Sequence, residues 1–263
     1  MVSRYAQLLA RAGSKPKALE QFRRAMALAV AETAEAIRLV AEEVLATFTA
    51  EEAIAEFSGA PPLPHGRGSD GWILVRAFTA AKRYDEAAAR LESMIPAAVG
   101  GREQAALFHE LGDVHQDAEH ADRAIGAYEE ALKLDAENWV TLNNVAYLLS
   151  DKRGENKAAL PYAQRAVALA DNAFTLDTLG WIYAGLGQYA LAVAELSRAV
   201  RLDPDYALPY YHLGEAYRRN AQFSEAADIL KTGRDVADNA KDPALVGLIE
   251  AALEKSGRRD AAP

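Results

Sequence analysis

The stretch AFTLDTLGWIYAGLGQYALAVAELSRAVRLDPDY, residues 173–206, reads as two short helices joined by a polar turn. Leu179 and Tyr183 lie four apart, Ala192 and Leu196 lie four apart, and Ala199 follows three later, the spacing that keeps side chains on one helical face. Gly187-Gln188 separates the two halves. The same pattern recurs at 34-residue intervals in segments 105–138, 139–172 and 207–240. Their seventh and eighth positions read Leu111-Gly112, Val145-Ala146, Leu179-Gly180 and Leu213-Gly214, and their eleventh His115, Leu149, Tyr183 and Tyr217. The twentieth holds Ala124, Ala192 and Ala226, the twenty-fourth Tyr128, Leu196 and Leu230, and the twenty-seventh Ala131, Ala199 and Gly233. In segment 139–172 the second half fits after a one-residue slip, as Ala159, Ala163 and Ala166, with the extra residue expected in the turn Asp151–Asn156. Small residues recur where helices approach closely, and one hairpin cannot bury its own apolar face, so neighbours must stack. Leu202-Asp203-Pro204-Asp205 is expected to end one helix and, through Pro204, to open the next.

The frame extends backwards. Segment 68–101 carries Leu74, Val75, Phe78, Ala87, Leu91 and Met94, and segment 34–67 keeps Val40, Ala41, Val44, Ala53 and Phe57 in phase, with Thr49 and Glu52 spaced as a capping box. Ala18, Phe22 and Ala25 mark a first, incomplete hairpin. The expected organisation is degenerate hairpins over 1–67 ending in a Pro/Gly-rich loop at 58–71, a repeat array over 68–240 (units 68–101, 105–138, 139–172, 173–206 and 207–240), an end helix over 241–256 and a tail over 257–263. The loop is the expected flexible point. The end helix opens at Pro243 and places Leu245, Leu248, Ile249, Ala252 and Leu253 on its apolar side; residues from Ser256 on are expected to fray.

Leu179-Gly180, Tyr183, Ala192, Ala199 and Pro204, with Phe108, Leu111, Gly112, Ala124, Tyr128 and Ala131, resemble the tetratricopeptide repeat. The resemblance implies an all-α, right-handed superhelical solenoid closed by a capping helix. It also implies a role as a non-catalytic scaffold whose concave groove holds a peptide or helix of a partner protein. Groove positions carried over from the family give Asn143, Asn144 and Tyr147, then Phe174, Asp177, Thr178 and Trp181, then Tyr211, His212, Glu215, Arg218 and Arg219. Segment 105–138 contributes His109, Glu110, Asp113, Gln116 and Asp117. Asn143 and Asn144 offer the donor and acceptor that a peptide backbone needs, or are simply solvated. Trp181 and Tyr211 either anchor a partner or pack between repeats. The lysines and arginine of the chaperone-binding carboxylate clamp are missing at the matching positions, which disfavours that partner.

Composition agrees with a folded, stacked chain. Of 263 residues, 51% are hydrophobic and 25% charged, enough apolar surface for one large or two small domains. A net charge of −9 opposes a phosphate backbone, so nucleic acid is not an expected partner. Residues 103–138 hold ten acids against Arg123 and Lys133, a solubilising face or a docking patch for a basic protein. Cysteine is absent, which removes disulfides and thiolate metal sites. His109, His115 and His120 point in different directions on a helix, and only His109 with Asp113 could hold a cation, weakly. The glycines around His65 lack the strand and Lys-Ser/Thr ending of a phosphate loop, and no nucleophile, base and oxyanion donor assemble. No enzyme activity, cofactor or metal is expected. No apolar run reaches the length of a membrane span and the N-terminus shows no secretory h-region. The expectation is a cytoplasmic chain without direct membrane insertion, or a periplasmic one if it is cut from a longer protein. Two rivals stay open: a self-assembling structural module, favoured by the incomplete first hairpin, and a fragment of a larger enzyme or secretion component.

Overall fold

The computed structural model describes residue 6 and residues 13–30, 34–58 and 69–257. The expected half-hairpin ahead of Gly13, the glycine-rich stretch 59–68 with His65, and the tail after 257 lie outside these described residues. Within them the chain is all α, with fourteen α-helices and no strand. Two compact units form, Met1–Ala136 and Glu137–Pro263.

The first unit holds α1 (Lys15–Val30), α2 (Ala34–Thr47), α3 (Ala50–Ser58), α4 (Ser69–Ala80), α5 (Tyr84–Met94), α6 (Gly101–Asp117) and α7 (Ala121–Leu134). Each packs on the next in chain order. The Thr49 and Glu52 capping box is formed: the Thr49 N–H donates to Glu52 Oε2 at 3.1 Å, and the Glu52 N–H to Thr49 Oγ1 at 3.2 Å. Phe22 meets Phe48 edge to face at 6.1 Å, and Phe57 and Ile73 complete that core.

The second unit holds α8 (Trp139–Tyr147), α9 (Asn156–Leu169), α10 (Ala173–Gly185), α11 (Tyr189–Leu202), α12 (Leu208–Arg219), α13 (Phe223–Asn239) and α14 (Pro243–Gly257). Asn138 and Asn172, which close successive 34-residue segments, cap α8 and α10 by accepting from the N–H groups of Thr141 and Thr175, each at 3.1 Å. An uncapped helix start loses about 1 kcal/mol, so these side chains fix where the first helix of a hairpin begins.

The small-against-large spine sits between the two helices of a hairpin. A Cβ on Gly180 would lie 2.6 Å from Leu196 Cγ; one on Gly112 would run into the Tyr128 ring, and one on Gly214 into Leu230. The eighth and twenty-fourth positions of the repeat therefore touch. In α8 and α9 the same positions carry Ala146 and Ala163, so the added methyl faces a smaller partner.

Four sequence expectations are corrected. The extra residue of segment 139–172 is absorbed in a π-helical stretch at Leu148–Lys152 that prolongs α8 and overlaps only the first two residues of the expected turn; widening one helical turn accommodates an insertion within a helix. Pro204 does not open a helix: α11 stops at Leu202, and Pro209 is the proline in the first turn of α12. Leu248 is 53% exposed, because α14 rests on α12 and α13 through Leu245, Ile249 and Ala252. Ser256 is not frayed but helical and buried, its hydroxyl donating to the Ala252 carbonyl at 2.9 Å.

Candidate functional site

Within the second unit α8, α10 and α12 lie side by side, with α14 next to α12. The first helix of each hairpin therefore contributes to one wall, and the expected site residues fall along it. Five of them are engaged within the protein: Thr178, buried, donates to the Phe174 carbonyl at 3.2 Å, and Asp177, His212, Glu215 and Arg218 pair among themselves. Asp177 and His212 are buried and joined, Asp177 Oδ1 lying 2.8 Å from His212 Nδ1. Glu215, 6% exposed, accepts both arms of Arg218, from Nε at 3.0 Å and from a terminal nitrogen at 2.9 Å. Burial works to raise the Glu215 pKa, but the hydrogen bonds and charge of Arg218, joined by Arg219 and Lys255, outweigh it and hold the carboxyl below its ordinary range.

The aromatic residues are gathered rather than scattered. Trp181 stacks on His212 with ring centres 4.2 Å apart and 20° between planes, Tyr211 lies 6.5 Å away, and the Arg219 guanidinium sits 5.2 Å over the indole. This arrangement orients Trp181 and Tyr211 while leaving both partly exposed. Burial first, then the Glu215 charge, makes the Tyr211 hydroxyl a weaker acid than usual. At the other end of the wall the Lys152 ammonium lies 6.0 Å from the Tyr147 ring and pairs with Asp151 at 2.9 Å. Both cation and carboxylate are delivered by the π-helical stretch. Asn143 and Asn144 are half-buried, and Asn143 Oδ1 accepts no hydrogen bond.

Phe174 is 51% exposed, and its ring rests on Tyr206 with centres 4.8 Å apart. Tyr206 was not among the expected residues. It lies past the end of α11, at the last position of its repeat, whereas the groove positions considered all lie on first helices. Burial, then the neighbouring Asp177 and Tyr147, push its phenol to weaker acidity.

The first unit uses the matching positions differently. Arg76 on α4 reaches Glu110 on α6 at 2.7 Å, with Glu110 buried. The Tyr128 hydroxyl donates its one proton to Asp113 Oδ1 at 2.6 Å and also lies 3.2 Å from Gln116 Oε1, and His109 Nε2 lies 3.5 Å from Asp113. Burial, with the Asp113 charge, raises the Asp117 pKa. Among the described residues no three acids and histidines come close enough to hold a metal ion. No helix there is long and apolar enough to cross a membrane.

Stacked helical hairpins with a polar and aromatic first-helix wall define a class, the α-helical repeat proteins that act as protein–protein interaction scaffolds. Residues 105–138 match the model of the tetratricopeptide repeat, and residues 180–220 match a second model described as TPR repeat. Human Tetratricopeptide repeat protein 6 is 29% identical over 98 residues, 37% of this chain; the matched segment spans 19% of that relative's length. Solved structures share the fold, among them the following three. YrrB, described as a TPR protein with an unusual peptide-binding site, is 21% identical, with a TM-score of 0.54 over 78% of this chain and 98% of that one. MamA residues 41 to the end from Desulfovibrio magneticus RS-1 is 20% identical, with a TM-score of 0.56 over 66% and 96%. A thermophilic TPR protein from Thermus thermophilus is 19% identical, with a TM-score of 0.56 over 70% and 98%. The chain carries tetratricopeptide repeats at residues 105–138 and 180–220 and shares the fold of these proteins.

Proposed function

We propose that the second unit binds an extended segment of a partner protein along the wall formed by α8, α10 and α12, and that the chain catalyses nothing itself. The observation that carries this reading is the set of partly exposed rings on that wall, Tyr147, Trp181 and Tyr211, each fixed by a charged or aromatic neighbour. Rings held this way lose little freedom when a partner arrives, which is why aromatics concentrate binding energy at interfaces. The Asn143 amide supports it: its buried oxygen accepts no hydrogen bond within the protein, which leaves an acceptor unspent for a partner's N–H. Phe174 with Tyr206 adds an exposed aromatic ledge at the start of α10. Asp177, His212, Glu215 and Arg218 act as struts that set the ring positions.

The test is binding of the 263-residue chain to an array of extended peptides, repeated with Asn143→Ala plus Phe174→Ser. Neither side chain is needed by the spine, so circular dichroism should be unchanged while peptide binding falls by about tenfold. Unchanged binding in a folded variant moves the site elsewhere.

A further inference from the structure

The rings of the wall carry hydrogen-bond donors that the protein does not use. Among the described residues the Trp181 indole N–H and the hydroxyls of Tyr206 and Tyr211 have no hydrogen-bond partner, and all three side chains are partly exposed. Burial makes both phenols weaker acids than usual, which keeps them in the protonated, donating form. The charged acceptors of the wall, in contrast, are engaged. On α8 with its π-helical extension, on α10 and on α12 the acids are Asp151, Asp177 and Glu215, and the bases are Lys152, Arg218 and Arg219. Asp151 pairs with Lys152 at 2.9 Å, and buried Asp177 with His212 at 2.8 Å. Buried Glu215 pairs with Arg218 at 2.9 Å and with Arg219 at 3.6 Å. Three acids against three bases leave these stretches without net charge, in a chain that carries −9. The next helix, α14, adds two exposed acids, Glu250 and Glu254, and one exposed base, Lys255, so no excess of positive charge borders the rings. The wall is thus neutral, aromatic and richer in unspent donors than in unspent acceptors, with Asn143 Oδ1 an acceptor that remains.

We propose that the occupant of this wall is an uncharged, proline-rich segment in the polyproline II conformation. Its carbonyls accept from Trp181, Tyr206 and Tyr211, and its pyrrolidine rings pack against Tyr211 and the Phe174–Tyr206 ledge. The inference rests on the groove reading above and names the class of its occupant. Hydrogen-bond matching selects it: an ordinary extended segment brings one N–H for every C=O, and here those N–H groups would lose water without gaining acceptors. Proline brings the C=O and no N–H. An occasional non-proline residue supplies the N–H that Asn143 Oδ1 lacks. Charge complementarity points the same way, since a segment of either sign would carry a charge onto a surface whose own charges are already paired. The spacing agrees: the Trp181 and Tyr211 rings are 6.5 Å apart, and two residues of polyproline II advance about 6 Å. A segment already extended also loses little freedom on docking.

The experiment titrates the 263-residue chain with capped peptides of repeated Pro-Pro-Gln triplets and, for comparison, of repeated Ala-Ser-Gln triplets, at low and high salt. The proline peptide should bind about tenfold more tightly, and salt should leave the difference intact because no charge is neutralised. Tyr206→Phe with Tyr211→Phe removes two donors and keeps both rings; it should weaken the proline peptide by about three- to tenfold without changing circular dichroism. Phe223→Ser, at an exposed ring of α13 away from the wall, should change nothing. Replacing Gln by Glu or Lys in the proline peptide should not tighten binding, and tightening by either would overturn the uncharged assignment. Equal binding of the proline and Ala-Ser-Gln peptides, or undiminished binding by the folded double phenylalanine variant, overturns the proline assignment. Binding of other members of the extended-peptide array would then leave the groove reading standing. Failure of the proline peptide and of every array member to bind overturns the two together.

Discussion

The two units put the same repeat positions to different uses. In the first, a ninth-position residue meets a sixth-position residue of the next repeat as an ion pair, Arg76 with Glu110 at 2.7 Å. In the second the equivalent pair is a ring stack, Trp181 with His212 at 4.2 Å. The backbone frame decides which positions meet; the side chains decide whether that meeting is closed or leaves something for a partner. Arg76 and Glu110 neutralise each other. The Trp181 stack draws Arg219 over its ring and leaves donors unused.

The sharpest way to break this comparison is to remove one member of each buried pair. Glu110→Ala leaves the half-buried Arg76 charge unpaired and should cost about 2–3 kcal/mol by thermal or denaturant unfolding. Trp181→Ala removes the ring stacked on His212 and leaves no charge unpaired, so the loss of the stack should cost about 1 kcal/mol. Equal costs would mean that the ion pair and the stack are not the different devices described here.

Two helical glycines sharpen it next, with opposite signs. A Cβ at Gly233 on α13 would lie 2.5 Å from Tyr210 Cβ, an atom fixed to its backbone, so Gly233→Ala should destabilise by about 1–3 kcal/mol. Gly126 on α7 is exposed with nothing within 4 Å, and Gly126→Ala should stabilise by about 0.5–1 kcal/mol. Urea unfolding of both variants checks the pair.

The eleventh repeat position separates the units by pH. It is His115 in the first, where burial, then the charges of Arg123 and His120, lower the imidazole pKa below the usual value of about 6.5. The unfolded chain then takes up the proton before the folded one, so the contribution of His115 is lost as pH falls below about 6.5 toward the folded value. Melting curves of His115→Leu, which carries the residue Leu149 supplies in α8 and α9's hairpin, should fall less between about pH 7.5 and 5.5 than those of the wild type. An equal fall in both would place the acid sensitivity elsewhere.

The smallest effect lies in the turns within hairpins. Lys82, Glu119 and Ala221 adopt φ of 57°, 60° and 59°, where the matching Gly187 has 74°. Only glycine takes this left-handed conformation without strain, so Ala221→Gly should stabilise the second unit by about 0.5–1 kcal/mol. An unchanged or lowered melting temperature would show that the turn carries no such strain.

These contrasts also separate what was legible in the sequence from what was not. The spine was legible because hairpin packing is local: Gly112 and Tyr128, or Gly180 and Leu196, are sixteen residues apart and repeat with one period. The Thr49–Glu52 capping box was legible for the same reason. The Trp139 segment revealed its extra residue only as a slip, since a helix that widens for one turn looks in sequence like a longer loop. Pro161 sits inside α9, removing the N–H that would bond the carbonyl four residues earlier, and ordinary helix rules argue against it. At the candidate site the positions were legible and the partnerships were not. Asp177 with His212, and Arg219 over Trp181, join residues from different repeats, and no spacing rule states whether such a pair closes a surface or leaves it open. Tyr206 was missed because it lies outside the first helices of the repeats.

The wall of the second unit as the recognition surface is tested most directly by amide-resolved NMR of the 263-residue chain titrated with the tightest peptide from the array. Shifts should concentrate on α8, α10 and α12, with the side-chain resonances of Trp181 and Asn143 among those that move. Shifts confined to α9, α11 and α13, or to the first unit, would contradict it.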